Sequence, residues 1–316
     1  MRKAAALIFS AGLFSAAMCL RAAQSQTDTA RLWEIAAGGK MAFDVASIKR
    51  DTSDRIGHSP NFTLDSGDGY PGDTTLFSAE FPLATFISFA YKLPPIELRA
   101  VESQLPKWAT NERFDIQARA ASPSTKDQMR LMMQSLLADR FQLKAHFETR
   151  EAPVFALVLL HPGKTGPGLR PYADDAPCTA KPQFEKIAPA LMLSVGHFPA
   201  MCYTLMALMR PANGGQLITW GSRNVSMGQI ASDMPVAPTA NIDRPVIDRT
   251  GLSGNFDFAM NFAGLNAVAP GGAQASDADA PSFLEALKDQ LGLKLESTTA
   301  PVESMIIDHV EEPSAN

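Results

Sequence analysis

Two stretches of this chain, 150 positions apart, carry the same pattern, and this repeat constrains the fold more than any other feature. Leu137–Lys144 and Leu287–Lys294 have identical Leu, Asp, Leu and Lys residues in register. A few residues further on, both copies reach Ala-Pro-Val and then an apolar run, the first at Ala152 and the second at Ala300. A recurring order of motifs indicates a recurring structural unit. We therefore predict two related lobes.

Hydrophobic spacing assigns secondary structure to each copy of the pattern. Apolar residues recur at helical intervals over 129–137 and 283–291, which predicts amphipathic helices. A Phe-Asp pair precedes each helix, and alternating apolar and polar residues follow it, which predicts strands on both sides. We predict that 114–160 and 256–307 share one fold of strand, helix and β-hairpin.

A further helix is predicted before each unit, from Pro82 to Leu93 in the first lobe and near 226–234 in the second. Proline suits the first turn of a helix, and the pair Pro94-Pro95 ends the first of these helices because proline cannot continue it. The whole pattern indicates an α+β fold with two related lobes. Each lobe is expected to contain a strand-helix-β-hairpin unit and a preceding helix.

Changes in composition mark the boundaries between these parts. A Pro/Gly-rich stretch between the lobes indicates an irregular connector, and a later run of Ala, Gly, Ser and Asp indicates a mobile loop. The predicted parts are a signal peptide (1–23), a first α+β lobe (41–163), the connector (164–216), and a second α+β lobe (217–312) that includes the mobile loop (264–281).

The start of the chain has the features of a secretory signal peptide. Arg2 and Lys3 form a basic head, and residues 4–20 form an uncharged run that is short for a membrane span. We therefore expect an exported protein, periplasmic or secreted, that contacts the membrane only if the signal stays uncleaved. Lipidation at Cys19 and an uncleaved anchor are the alternatives.

The net charge and the cysteines limit which partners and which covalent links are expected for this chain. The formal net charge is −5, and removal of Arg2, Lys3 and Arg21 with the signal brings it to −8, so nucleic acid is not an expected partner. Cys178 and Cys202 are the two cysteines that remain after cleavage. In an oxidising compartment such a pair is predicted to form a disulfide.

Several longer motifs occur in a fixed order along nearly all of the mature chain: 43–49 (FDVASIK), 136–141 (LLADRF), 150–154 (REAPV), 244–252 (RPVIDRTGL) and 307–311 (IDHVE). Together they resemble the soil-bacterial exported family catalogued as domain of unknown function 3738. The family has no established activity. Some relatives carry this domain behind a membrane metallopeptidase of the antibiotic-sensing type, so the resemblance implies an extracytoplasmic sensing role.

One glycine-rich stretch, Gly67–Gly72, has the spacing of a dinucleotide-binding fingerprint. That motif requires backbone amides at the start of a helix, whereas Pro71 lacks an amide hydrogen and no helix start follows, so we interpret the stretch as a turn. Asp65, Asp68 and Asp73 in the same region were weighed as calcium ligands, but their spacing does not match an EF-hand loop.

Two groups of strand residues combine histidine with acids: His146 with Glu148, and His309 with Asp308 and Glu311. Zinc requires three or four ligands from a closed arrangement, so we interpret both groups as surface features. The sequence also lacks the common hydrolase and phosphate-binding motifs. It therefore predicts no catalytic residue, no metal ligand and no cofactor.

Asp115 and Asp257 each follow an aromatic residue expected to be buried. A buried carboxylate requires a cation or backbone amides, and Arg113 and Arg249 are the candidate partners. Because the same acid occurs in both copies of the repeat, we predict that both support the fold.

The expected function is that of an exported, non-catalytic binding or sensing module. Two similar lobes side by side create a cleft, and small ligands commonly bind in such clefts. The expected partner is an unknown small molecule or an envelope protein. The alternative is an exported hydrolase whose catalytic groups come together from both lobes, which would require a nucleophile, a base and an orienting group at the seam.

Overall fold

The protein is described by a computed structural model with seven α-helices and three small β-sheets in its described part. The predicted signal peptide lies outside that part. None of the described helices is long and apolar enough to cross a membrane. The described residues are 31–51, 57–58, 60–69, 75–174, 198–199, 201–212, 215–264 and 280–313.

The first hydrophobic core packs helices against an antiparallel three-stranded sheet of order β1-β3-β2. Phenylalanines of the second strand and the following helix dominate its interior, with Phe77, Phe86 and Phe89 fully buried. The strands are β1 (Val45–Asp51), β2 (Leu76–Pro82) and β3 (Arg113–Arg119), and the helices are α1 (Leu32–Ala36), α2 (Leu83–Ala90), α3 (Pro95–Glu102), α4 (Lys107–Asn111) and α5 (Lys126–Arg140).

Local signals place these helices close to where the sequence predicts them. Pro82 is the residue before α2, and Pro94 precedes α3, which has Pro95 in its first turn. The α5 helix begins with a capping box, in which the Thr125 side chain accepts from the backbone of Gln128 and the Gln128 side chain reciprocates. Both predicted helices therefore form, with caps that lie within a residue or two of the expected starts.

The second core packs two helices against a four-stranded antiparallel sheet of order β5-β9-β7-β6. Two of these strands, β5 and β6, lie inside 164–216, so the prediction of an irregular connector was wrong there: both pair with neighbouring strands despite their proline residues. Residues 265–279 of the predicted mobile loop lie outside the described part. The elements are β5 (Leu169–Pro171), β6 (Met206–Ala212), β7 (Gly215–Ser226), β9 (Asn255–Ala263), α6 (Met227–Asp233), a 3-10 turn (Met234–Val236) and α7 (Phe283–Leu291).

Two long strands, β4 (Lys144–Leu159) and β10 (Leu293–His309), form an antiparallel ribbon. The short parallel strand β8 (Val246–Asp248) pairs with the other side of β4. The predicted β-hairpins were wrong, because each Ala-Pro-Val segment continues through the middle of a single strand and Ala152 lies opposite Ala300. The two copies of the motif pair with each other instead of turning back on themselves.

Proline donates no ladder hydrogen bond, so the sequence predicts that Pro153 and Pro301 each lie at a strand start or on a sheet edge, and this prediction was wrong for Pro153. Pro301 lies in β10, an edge strand of its sheet, whereas Pro153 lies inside β4, the middle strand. Proline is tolerated in β4 because β8 pairs only with 155–157 and leaves the residues before them without a second neighbour.

The ribbon also joins the two cores. Met305 of β10 belongs to the first core, and Leu157 of β4 belongs to the second. The predicted segments 41–163 and 217–312 are therefore interleaved, because each contributes one strand end to the other core. The order of strand, helix and long strand occurs twice, as β3-α5-β4 and as β9-α7-β10.

Candidate functional site

A cleft of about 970 Å³ opens between the two cores, and we call it the seam cleft. The first core contributes the loop around Asp68 and the end of α2 at Lys92, together with Trp33 of α1. The second core contributes the end of β7, the first turns of α6, and a loop residue of the connector. The lining residues that the second core contributes include Tyr203, Asn224 and Gln229.

The glycine-rich loop lies directly against the second core. A Cβ added to Gly67 would lie 2.3 Å from Nε2 of Gln229, and one added to Gly69 would lie 2.0 Å from Cβ of Tyr203. A Cβ at position 69 would overlap Tyr203 next to its backbone, whereas one at position 67 would displace the flexible end of Gln229, so both glycines allow close packing across the seam and Gly69 requires it. The fingerprint-like spacing thus has a packing role at these two positions, while Tyr70, Pro71 and Gly72 lie outside the described residues.

Cations from the start of α5 hold this loop. Arg130 is fully buried and donates to the carbonyl oxygens of Asp65 (2.8 Å) and Gly67 (2.6 Å). It also pairs with Asp127, one turn earlier on α5. Lys126, also buried, lies 2.5 Å from the Asp65 carboxylate. Arg130 and Lys126 of α5 therefore hold the loop in place at Asp65 and Gly67.

These contacts also account for the acids weighed as calcium ligands. Asp65 pairs with Lys126, and Asp68 pairs with Lys92 and Arg130. Asp73 lies outside the described residues. No group of three or more potential metal ligands occurs in the part of the chain that the structure describes.

A β-bulge shapes the opposite wall of the seam cleft. The pairing of β7 with β9 shifts between Ser222 and Val225, so Arg223 and Asn224 lie in the bulge. Arg223 is fully buried, while Asn224 lines the cleft with φ of +56°. Bulges of this kind redirect a side chain and are frequent beside functional sites.

Asp257 stabilises this bulge from below. Its carboxylate is fully buried, lies 3.2 Å from Nε of Arg223 and 3.0 Å from a terminal nitrogen of Arg170, and accepts the backbone N–H of Asn224 at 3.2 Å. The predicted partner Arg249 was wrong. The sequence did not identify Arg170 and Arg223 as the partners of Asp257, because strand pairing brings both of them close to it.

Asp115, the corresponding acid of the first core, has different surroundings. Its side chain is 24% exposed and lies 3.9 Å from His58, and it accepts a hydrogen bond from Gln117. Arg113 pairs with Asp51 and with Glu80 instead. The two acids of the repeated Phe-Asp pair therefore differ in burial and in partners.

The histidine groups on the ribbon lie at the surface. His146 lies 2.9 Å from Asp308 and 3.7 Å from Glu148, and its hydrogen bond with Asp308 raises the pKa of its imidazole. His309 pairs with Glu311 at 2.8 Å. Neither group lines the seam cleft.

Cys202 is buried next to the bulge, and its backbone forms an isolated parallel β-bridge with the backbone of Arg223. Cys178 lies outside the described residues, so its disulfide with Cys202 stays a prediction.

Asp233, at the end of α6, is a buried acid that sequence patterns did not single out. Burial raises the pKa of its carboxyl to about 7, and the negative charge of Asp65 adds to this shift, while Ser232 and Lys126 oppose it. One oxygen of Asp65 is itself buried without a hydrogen-bond partner. Asp65 of the first core and Asp233 of the second core therefore lie close enough at the seam to interact electrostatically.

We expect the stability of the protein to fall as the pH rises toward 7. Folding raises the pKa of Asp233, so the folded state binds more protons than the unfolded state between the two pKa values, and the free energy of unfolding decreases with pH there. The expected decrease between pH 5 and pH 7 is roughly 2–3 kcal/mol.

Urea denaturation across this pH range measures the effect. Asp233→Asn should flatten the profile and leave the variant more stable than the parent protein at pH 8. Asp289→Asn, at an exposed position of α7, is the matched control and should keep the parent profile. An Asp233→Asn profile that parallels the parent would contradict the prediction.

A smaller recess of about 340 Å³ adjoins the seam cleft, and we call it the apolar recess. It shares Arg31, Lys92 and Glu303 with the seam cleft. Most of its other lining is apolar and comes from α3, β4, β8 and β10, including Ile96, Phe147, Val246 and Val302.

Comparison with known proteins gives one match. A family model described as a protein of unknown function, DUF3738, matches residues 84–310. This range includes the second core, the ribbon, and β3 with α3 to α5 of the first core, and it leaves out α1, β1 and β2. No curated protein matches the chain, and no solved structure matches it.

Proposed function

We propose that this chain, which belongs to the DUF3738 family of proteins of unknown function, is an exported binding module that takes a small ligand into the seam cleft. The proposal includes a non-catalytic, sensing role outside the cytoplasm. It rests on the shape of the cleft and on the local backbone around it.

Backbone strain at the cleft is the observation that carries the proposal. Lys92, Tyr203 and Asn224 all have positive φ, of +51°, +66° and +56°, and all three line the seam cleft. A bulky residue such as Tyr203 adopts this conformation only when its surroundings enforce it. Strained residues of this kind cluster at ligand sites, where the strain preorganises the contacting groups.

The surrounding structure supplies that enforcement. Gly69 packs against Tyr203, and Asp257 holds the backbone N–H of Asn224. Asn224 in turn donates to the Tyr203 hydroxyl at 3.2 Å. These internal contacts hold the cleft wall in place, as expected of a preformed binding site.

The repeated lobe belongs to the same proposal. Leu137 and Leu287 are fully buried at matching positions of α5 and α7, and Leu143 and Leu293 are buried at the starts of the long strands. We interpret β3-α5-β4 and β9-α7-β10 as two copies of one unit, one in each of the two cores that border the seam cleft.

No observation specifically favours the hydrolase alternative. Ser226 accepts the backbone N–H of Gln229 as the cap of α6, and Ser232 donates to the Gln229 carbonyl. Among the described residues that line the cleft there is no histidine to act as a base for either serine.

A variant that fills the cleft tests the proposal. Gly228 lines the cleft on α6, and a Cβ added there meets only Oγ of Ser226, at 3.8 Å. Gly228→Trp should therefore place an indole in the cleft without disturbing either core, and Gly228→Ala is the matched control. The measurement is ligand-observed NMR of the exported protein with a fragment library.

Fragments that bind the parent protein should bind Gly228→Ala and lose binding to Gly228→Trp. Fragments that bind all three proteins equally, or a library without any binder, would contradict the proposed site. Circular dichroism and thermal melting confirm that both variants keep the fold.

A further inference from the structure

The charged side chains that line the seam cleft balance one another among the residues that the structure describes. In that part of the chain two cations, Arg31 and Lys92, face two acids, Asp68 and Glu303. Lys92 pairs with Asp68 and lies 5.5 Å from the Trp33 ring centre. A cleft whose charges are already compensated gives little attraction to an ion and favours a neutral ligand.

Arg31 in particular is held by several contacts with the protein, although its buried Nε lacks a hydrogen-bond partner among the described residues. It donates to the carbonyl oxygen of Tyr91, pairs with Glu34, and lies 4.3 Å from the Phe147 ring centre. Burial lowers the pKa of its guanidinium, and Glu34 and Glu303 oppose this shift. Binding of an anion to Arg31 would require these contacts to be broken.

The remaining polar lining, in the described part of the chain, consists of neutral amides and hydroxyls. Asn224, Gln229 and Asn255 present amides, and Ser66, Ser232 and Tyr203 present hydroxyls. Amides and hydroxyls both donate and accept hydrogen bonds, which is what a ligand hydroxyl also does.

Three of these groups form a connected row. Asn255 donates to Oδ1 of Asn224 at 2.7 Å, and Asn224 donates to the Tyr203 hydroxyl at 3.2 Å. Each member keeps further donor or acceptor capacity, so the row can meet several hydroxyls of one ligand. The strained backbone of Asn224 and Tyr203 fixes the spacing of the row.

The position of these groups disfavours a peptide. Extended peptides usually pair their backbone with a free strand edge. Most of the described polar residues of the cleft lie instead in loops, on α6 and around the β7 bulge. Glu303 belongs to the edge strand β10, whereas the other polar residues offer side chains in place of a strand edge.

The apolar recess places a second requirement on the ligand. It adjoins the seam cleft at Arg31, Lys92 and Glu303, and its apolar lining includes Ile96, Phe147, Val246 and Val302. Burial raises the pKa of Glu97 at the same place, which reflects poor access of water. A ligand that fills both volumes has a hydroxyl-rich part and an apolar substituent.

We infer that the ligand is a neutral saccharide that carries an apolar substituent, such as an alkyl or acyl glycoside. The inference rests on the proposed binding function and names its ligand class. Hydroxyls of the saccharide occupy the seam cleft along Asn255, Asn224 and Tyr203, and the substituent occupies the apolar recess.

Calorimetric titration of the exported protein tests this assignment. The probes are maltotriose, cellotriose and triacetylchitotriose as neutral saccharides, trigalacturonic acid as an anionic one, and acetyl-trialanine amide as a neutral peptide. Methyl β-glucoside and octyl β-glucoside, the latter below its micelle concentration, test the recess. The protein variants are Asn255→Ala, Gly228→Trp and, as a matched control outside the cleft, Asn111→Ala.

At least one neutral saccharide should bind, and octyl β-glucoside should bind about tenfold more tightly than the methyl glucoside because part of its chain leaves water. Asn255→Ala should weaken binding about tenfold through a lost hydrogen bond, and Asn111→Ala should not change it. Gly228→Trp should abolish binding.

Other outcomes overturn the assignment. Preferential binding of trigalacturonic acid or of the peptide shows that the ligand class is wrong. So does a failure of every saccharide while library fragments still bind in a way that Gly228→Trp abolishes, and in that case the proposed function stands. If neither the probes nor the library fragments show binding that Gly228→Trp abolishes, both the assigned ligand class and the proposed function are wrong.

Discussion

Replacement of Asp257 by alanine is expected to lower the free energy of unfolding by about 3–5 kcal/mol, because it removes the buried carboxylate that pairs with the buried Arg223 guanidinium. The carboxylate also accepts the backbone N–H of Asn224. Loss of this bond should loosen the bulge, so the Asn224 amide should exchange its hydrogen faster. Urea denaturation and hydrogen exchange measure the two effects.

Asp115→Ala is the matched control, since the sequence places this acid in the same repeated Phe-Asp pair. Its side chain is partly exposed, so the expected cost is within about 1 kcal/mol. Equal costs for the two substitutions would contradict the different roles that the structure gives these acids.

Arg130→Met should have an effect of similar size, about 3–5 kcal/mol, because it removes one partner of a buried ion pair and unpairs two carbonyl oxygens. Methionine keeps much of the arginine volume, so the loss comes mainly from polar contacts. The loop at 65–69 should also become less protected from hydrogen exchange, because Arg130 holds it against the second core.

Denaturation and exchange of the same samples check this prediction, with Arg99→Met as the control. Arg99 is exposed near the end of α3, and its replacement should change the free energy of unfolding by no more than about 0.5 kcal/mol. An Arg130→Met protein that keeps both its stability and the protection of the loop would show that Lys126 alone holds the loop.

The sequence by itself determined the elements that depend on neighbouring residues. Helices α2, α5, α6 and α7 lie where apolar spacing and capping residues predict them, since i to i+4 contacts and caps involve residues a few positions apart. The α+β class and the order of strand, helix and strand follow from the same short-range patterns.

Only the tertiary structure decided how distant segments meet. The sequence predicts a hairpin around each Ala-Pro-Val segment, and the pairing of Ala152 with Ala300 shows that each segment lies within one continuous strand instead. The partners of Asp257 come from β5 and β7, and the glycines at 67 and 69 serve contacts with the second core. Backbone pairing depends little on side-chain identity, so strand partners, and the cleft that they create, are properties of the assembled fold.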